Sequence, residues 1–313
     1  MEDGKQPMQE LAPQKCQRVE SRAKGLASFS APLFLLLCLG MSYAASATTN
    51  SPWERIVMVG ASVSAGFTAS EPLGGPSTPQ FRLSRYVEAA LLVRHEPVRN
   101  LANSFLFLQP ELLGRHQIDQ ALKAEPTLVL GVDFLFWFCY GTGDTDADRL
   151  QRFEKGLKML EAIRCPLVVG DIPDASAAVN GMLRPEQIPS TNAMAAANKR
   201  LKQWAATRPN VVLLRLSQFM RAAMANQAIT IHDYTVPEGK TRILLQDDKL
   251  HPSPPGCAFV ALAALNALQS THAFPSADVR WDPKENLRLV FKSLQAGTNN
   301  PPKPDAPSQP AQP

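Results

Sequence analysis

Residues 55–67 read Arg55-Ile56-Val57-Met58-Val59-Gly60-Ala61-Ser62-Val63-Ser64-Ala65-Gly66-Phe67. Ile56 to Val59 are apolar without a break, so neither face of an extended segment here is polar. That pattern predicts a strand covered on both sides, the habit of parallel sheets. Beyond it the residues are small, and Gly60 and Gly66 suit a tight turn from the strand into a helix. A parallel sheet needs a crossover after each strand, usually a helix. The flanking sequence should therefore alternate between the two.

It does. Apolar residues at helical spacing predict helices over 81–93, 111–124, 146–163, 190–207 and 252–268, with Ser190 as an N-cap. Short apolar runs predict further strands over 97–102, 127–133, 166–171 and 210–216. The helix over 252–268 is apolar nearly all round and should be buried. There is no internal repeat. The alternation predicts an α/β fold with a parallel sheet covered on both faces by helices. In open sheets of this kind, ligands bind beyond the carboxyl ends of the strands.

The chain has 313 residues, of which 45% are hydrophobic and 19% charged. That is ample for a sizeable core. Its 32 basic and 28 acidic residues give a net charge of +4, too balanced for nucleic-acid binding through bulk charge. A mean hydropathy of −0.14 and a single long apolar run exclude a multi-span membrane protein.

In the first 47 residues, Lys15, Arg18, Arg22 and Lys24 precede an apolar stretch over 31–43, and Ala45-Ser46-Ala47 follows it. A basic region, a short apolar region and a small-x-small site together predict a signal peptide over 1–47. The apolar stretch is short for a membrane span. The expectation is an exported protein, periplasmic or secreted, with no membrane span once the signal is removed; the alternative is a signal retained uncleaved as an N-terminal anchor. Leu37 before Cys38 argues against a lipid anchor.

Cys139, Cys165 and Cys257 follow the signal, in apolar surroundings that predict buried free thiols. Residues 297–313, with six prolines among the last thirteen, predict a disordered tail. One domain, residues 52–296, lies between.

The strand ends gather small and polar residues. Ser62 follows the first strand. A serine hydroxyl becomes a nucleophile when a base takes its proton, and a turn opening a helix leaves backbone N–H groups pointing at the same space. The sequence around it is not a Gly-x-Ser-x-Gly elbow, because Ser64 stands where the second glycine belongs. Before the last predicted helix lies Asp248-Lys249-Leu250-His251-Pro252. At that spacing the Asp248 carboxylate can fold back onto the His251 ring and fix its tautomer.

Together, in this order, the two segments resemble the SGNH (or GDSL) hydrolase family. Ser62 resembles its nucleophile, and Asp248 and His251 its Asp-x-x-His pair. The resemblance spans Ile56 to about Leu268. It implies a three-layer α/β/α, flavodoxin-like sheet and a Ser-His-Asp triad needing neither cofactor nor metal. The middle blocks depart from the family. Ala61 replaces the usual aspartate. Residues 100–104 lack the glycine whose amide serves the oxyanion hole, and Asp133 stands where an asparagine usually donates to it. Candidate oxyanion donors are the Ser62 N–H, the amides of Asn103 and Ser104, the Asn103 side chain, and Asp133 if protonated. An ionised carboxylate accepts hydrogen bonds and cannot donate them, so the other reading of Asp133 is a structural acceptor tying down a neighbouring loop.

Lesser candidates are Asp171 and Asp174 after the fourth strand, and the aromatic run 134–138, which walls a pocket or fills core. His232-Asp233 should point to opposite faces of an extended segment. His95, His116 and His272 read as surface residues. No phosphate-loop, His-Glu-x-x-His or Gly-x-Gly-x-x-Gly motif is present. The expected function is hydrolysis of carboxylic esters by Ser62, His251 and Asp248. The alternatives are acyl transfer by the same residues, or a silent scaffold binding an envelope glycan or lipid. Short-chain esters, lipids, acetylated sugars and thioesters all fit the sequence, which carries no signal of oligomeric state.

Overall fold

The computed structural model describes residues 51–142, 145–271 and 273–298. The signal peptide expected over 1–47, His272 and residues 299–313 of the expected tail lie outside them.

Five short strands, β1 (Ile56–Met58), β2 (Arg99–Asn100), β3 (Leu128–Gly131), β4 (Leu167–Gly170) and β5 (Val211–Leu214), form a parallel sheet in the order β2-β1-β3-β4-β5. Side chains alternate across it, as the pleat requires. Ile56, Met58, Leu128 and Leu130 face one core, and Val57, Val59 and Val129 face the other.

Between and after the strands run α1 (Ser62–Ala65), α2 (Leu83–Ala90), α3 (Pro110–Lys123), α4 (Phe136–Cys139), α5 (Asp146–Leu160), α6 (Thr191–Ala206), α7 (Leu216–Met224), α8 (Pro254–Leu268) and α9 (Pro283–Thr298). Buried residues of α2, α8 and α9 pack on the first face, and those of α3, α5 and α6 on the second. The fold is therefore three-layered α/β/α. Each fully buried Leu, Ile, Val or Phe in the two cores contributes roughly 1.5–3 kcal/mol, which is why the predicted strands are so uniformly apolar.

Local chemistry sets the element ends. Thr145 and Asp148 make a reciprocal capping box at the start of α5. Ser190 accepts from the Ala193 N–H and caps α6, as its position predicts. The last long apolar helix starts at Pro254 rather than 252, because Ser253 takes the N-cap position and leaves the prolines at the first turn, where no N–H is needed.

Several further features depart from expectation. The helix predicted over 81–93 is only α2, preceded by a tight turn over Thr78–Phe81. Three helices, α4, α7 and α9, lie outside the predicted ones, and α9 carries the backbone through Thr298 where the tail is expected to begin. An antiparallel hairpin, β6 (Ile229–Ile231) with β7 (Tyr234–Val236), follows α7. Among the described residues, no helix is long and apolar enough to cross a membrane.

The strand order reverses at β1, between β2 and β3. The crevice at the carboxyl ends of β1 and β3 is thus the switch point of the sheet, where ligands of open α/β folds bind.

Candidate active site

Ser62 is the first residue of α1, directly beyond β1. Three segments hold its turn. Gln117 on α3 accepts from the Gly60 N–H (2.8 Å) and donates to the Gly60 carbonyl (3.0 Å), which also accepts from the Asn103 N–H (3.0 Å). Asn100 donates to the Ser64 carbonyl at 2.9 Å. After β3, the Asp133 carboxylate accepts from the N–H groups of Val63 (2.8 Å) and Ser64 (3.3 Å) and from the Ser64 hydroxyl (2.6 Å). Gly60 makes room for that carboxylate, since a Cβ there would lie 2.2 Å from an Asp133 oxygen.

The second half comes from the loop before α8. Lys249 adopts a left-handed conformation (φ 58°) that turns the chain back on itself. One Asp248 oxygen then accepts from the N–H groups of Leu250 and His251, both at 2.9 Å, and the other lies 2.7 Å from His251 Nδ1. This fixes Nδ1 as the protonated nitrogen and leaves Nε2 as an acceptor, 2.9 Å from the Ser62 hydroxyl.

The side chains of His251 and Asp248 are only 3% and 6% exposed. Burial works to raise the Asp248 carboxyl, but the hydrogen bonds and charge of His251 and the backbone donors outweigh it and hold the carboxyl below its ordinary value. The Phe67 ring packs on the imidazole, with centroids 4.3 Å apart.

Gln246 joins the two halves. Its side-chain amide donates to the Phe67 carbonyl beyond the Ser62 turn and to the Pro252 carbonyl beyond His251, each at 2.9 Å, and its backbone N–H donates to the His251 carbonyl at 2.8 Å. Gln246 is not legible from residue identity, because its partners are backbone carbonyls.

The oxyanion candidates sort by what they already bind. Among the described residues, the Ser62 N–H has no acceptor, whereas the next two amides of α1 are taken by Asp133. The Asn103 N–H is spent on Gly60, and its side-chain oxygen caps the Phe105 N–H at 2.8 Å. Among the described residues, its side-chain NH₂ and the N–H and hydroxyl of the neighbouring Ser104 remain as donors from that segment. Asp133 receives all its donors from the turn, which fits the structural acceptor and not the oxyanion donor of the two readings. Burial pushes its carboxyl above the ordinary range, against the lowering effect of those donors.

Beside Ser62 lies a cleft of about 60 Å³ between the ends of β3 and β4, α7 and the His251 loop. Phe136 lines it, while Phe134, Leu135 and Phe138 are core, so the aromatic run serves both purposes. Asp171 borders the cleft, but its carboxylate accepts from the N–H and hydroxyl of Ser217. Asp174 caps a turn through the Ser176 N–H.

His232 and Asp233 do not point apart. They form the turn of the β6–β7 hairpin, where a left-handed His232 (φ 51°) lets the carboxylate reach Nδ1 at 2.8 Å. The His232 ring stacks on Trp281, and Nε2 lies 3.2 Å from the Ser276 hydroxyl, which also accepts from the Trp281 N–H. Asp233 is 93% exposed, so this second Ser-His-Asp grouping reads as a surface tie between loops. Cys139 and Cys257 are buried and Cys165 is half-buried, all three as free thiols.

No family model and no curated protein matches the sequence. Among solved structures, the chain is similar to TesA at 16% identity, covering 70% of this chain and 99% of that one with a TM-score of 0.39. It is similar to a gut microbial diltiazem-metabolizing enzyme at 12% identity, covering 69% and 47% with a TM-score of 0.44. A third likeness is to a protein from Bacteroides fragilis assigned as an acylhydrolase, at 15% identity, covering 77% and 88% with a TM-score of 0.38. Likenesses this distant leave any functional argument to the side chains themselves.

Proposed function

We propose that this protein hydrolyses carboxylic esters through Ser62, His251 and Asp248, with the architecture of an SGNH-type hydrolase. The observation that carries the proposal is the continuous hydrogen-bonded line from Asp248 through His251 to Ser62, at 2.7 and 2.9 Å. A silent scaffold has no need to bury an Asp–His pair and aim its free nitrogen at a helix-terminal serine.

The geometry dictates the steps. The Ser62 oxygen attacks the ester carbonyl carbon as its proton passes to His251 Nε2. Asp248 accepts from Nδ1 throughout and stabilises the imidazolium that forms. Negative charge develops on the carbonyl oxygen, where the Ser62 N–H is one donor and the Asn103–Ser104 segment offers the second. Removing one such donor typically costs about 100-fold or more. Collapse breaks the bond to the alcohol, which leaves with the proton from Nε2 and a Ser62 ester behind. Water then attacks that ester, gives a proton to Nε2, and the acid departs as Ser62 regains its hydrogen.

The same line serves acyl transfer when an alcohol replaces water in the second half. Products formed with water alone and with added alcohols separate the two. The reading of residues 1–47 as a signal completes the proposal: the reaction takes place outside the cytoplasm. Covalent capture of Ser62 by a fluorophosphonate is the test of the chemistry.

A further inference from the structure

The cleft beside Ser62 differs in character from the rest of the crevice. Its lining includes Val132, Phe136, Leu216, Met220 and Val260, and no lysine, arginine or histidine side chain. Ser62, Asp133 and Asp171 alone bring side-chain polar atoms. The two carboxylates are committed elsewhere, Asp133 to the start of α1 and Asp171 to Ser217 at the start of α7. Nothing here would pair with a charged or polyhydroxylated group. Burying such a group without partners is costly, whereas burying methylenes is favourable.

The cleft is also small. It offers about 60 Å³, and one water-sized group needs roughly 10–15 Å³ of such space, so about four to six non-hydrogen atoms fit. One wall owes its position to a glycine. Gly170, at the end of β4, lets the Val132 carbonyl and Leu216 close in, and a Cβ on it would lie 2.0 Å from that carbonyl and 2.5 Å from Leu216 Cδ1. The leaving alcohol must escape to solvent, while the acyl group stays attached to Ser62 between the two halves of the reaction. The more closed side therefore suits the acyl group.

We propose that this cleft is an acyl pocket that selects short, uncharged acyl groups of about two to four carbons, with Met220 helping to set the length limit. The proposal rests on Ser62 being the nucleophile. Met220 is 8% exposed, lines the cleft from α7 and takes no part in the hydrogen-bonded line to Ser62. Cutting it back should lengthen the pocket.

The test uses p-nitrophenyl acetate, butyrate, hexanoate and octanoate, together with acetates of alcohols of the same lengths. For the wild-type protein, kcat/KM should peak at acetate or butyrate and fall at least about tenfold by octanoate, because each methylene that fails to fit a pocket costs that order. The alcohol series should vary far less. Met220→Ala should raise octanoate relative to acetate about fivefold or more, by the same arithmetic.

A flat or rising acyl profile, or steep dependence on the alcohol alone, would overturn the acyl-pocket proposal while fluorophosphonate labelling of Ser62 leaves the hydrolytic reading standing. No turnover of any ester together with no Ser62 adduct would overturn both. The wild-type series decides the matter even if the variant fails to fold.

Discussion

The side chain of Gln246 donates a hydrogen bond to the backbone carbonyl of Phe67, 2.9 Å away and 179 residues earlier in the chain. Phe67 ends the segment that bears Ser62, and Gln246 opens the loop that bears His251. Through its second N–H the same amide holds the Pro252 carbonyl. Gln246 is thus a positioning residue: it touches neither Ser62 nor the ring, yet fixes the distance between them.

Gln246→Ala removes both bonds. A misplacement of about 1 Å in a reacting pair costs on the order of 100-fold, so a loss of about 10- to 100-fold in kcat is expected with KM little changed. The rate of phosphonate labelling should fall in parallel. Gln246→Glu should be no better, because a carboxylate cannot donate to the two carbonyls. Steady-state kinetics within about twofold of wild type would remove Gln246 from this role.

Asp248→Asn keeps the shape of the loop but changes the proton on the ring. Its side-chain NH₂ can face Nδ1, which then becomes an acceptor and leaves Nε2 protonated against Ser62. The corresponding change in another serine hydrolase triad costs about 10⁴ in kcat, and a loss of that order is expected here with the folded structure retained by circular dichroism.

Asp133 and Asp248 should respond to acid in opposite directions. The Asp248 carboxyl is held low, so its contribution to stability is present above the unfolded value of about 3.9 and is lost as pH falls through the folded value. The Asp133 carboxyl is raised, so its contribution is present below about 3.9 and is lost as pH rises through the folded value. Asp133→Asn abolishes that titration. Relative to wild type, its melting temperature should therefore be higher at pH 7 than at pH 4, as thermal denaturation at the two pH values will show. An unchanged difference would mean that Asp133 does not titrate in this window.

The three thiols should be bystanders. Burial pushes Cys139 up to about 12 and Cys165 up to about 11, and Cys257 higher still. The thiolate is the reactive form, so alkylation at pH 8, mapped by mass spectrometry, should be slow in the native protein, with the half-exposed Cys165 first. Dithiothreitol should alter neither activity nor melting temperature.

Much of the sheet was legible because apolar runs such as Ile56–Val59 and Leu128–Leu130 admit no other burial. The Asp248–His251 spacing was legible because three residues of loop can close one carboxylate onto one ring. Other features were not, for identifiable reasons. In α7, Leu216, Phe219, Met220 and Ala223 do recur at helical spacing, but Leu216 lies two residues past the end of β5, within the apolar run over 210–216 that reads as strand. In α9, Leu287, Val290 and Leu294 mark one face and Asp282 offers an N-terminal acceptor, but this pattern sits directly against the proline-rich tail that masks it as a chain end. The reach of Asp233 to its neighbour depends on a left-handed His232, which favours no particular side chain strongly enough to be read. The role of Asp133 turned on which amides it meets across 70 residues, and residue type alone left acceptor and donor equally open.

The central claim is that the Ser62 oxygen is the nucleophile, activated by His251. The most direct measurement is mass spectrometry of the protein after reaction with a fluorophosphonate, compared with the Ser62→Ala variant. A single adduct on the peptide containing Ser62, absent in the variant along with ester turnover, is the expected result. An adduct elsewhere, Ser276 included, or undiminished turnover by a folded Ser62→Ala protein, would contradict it.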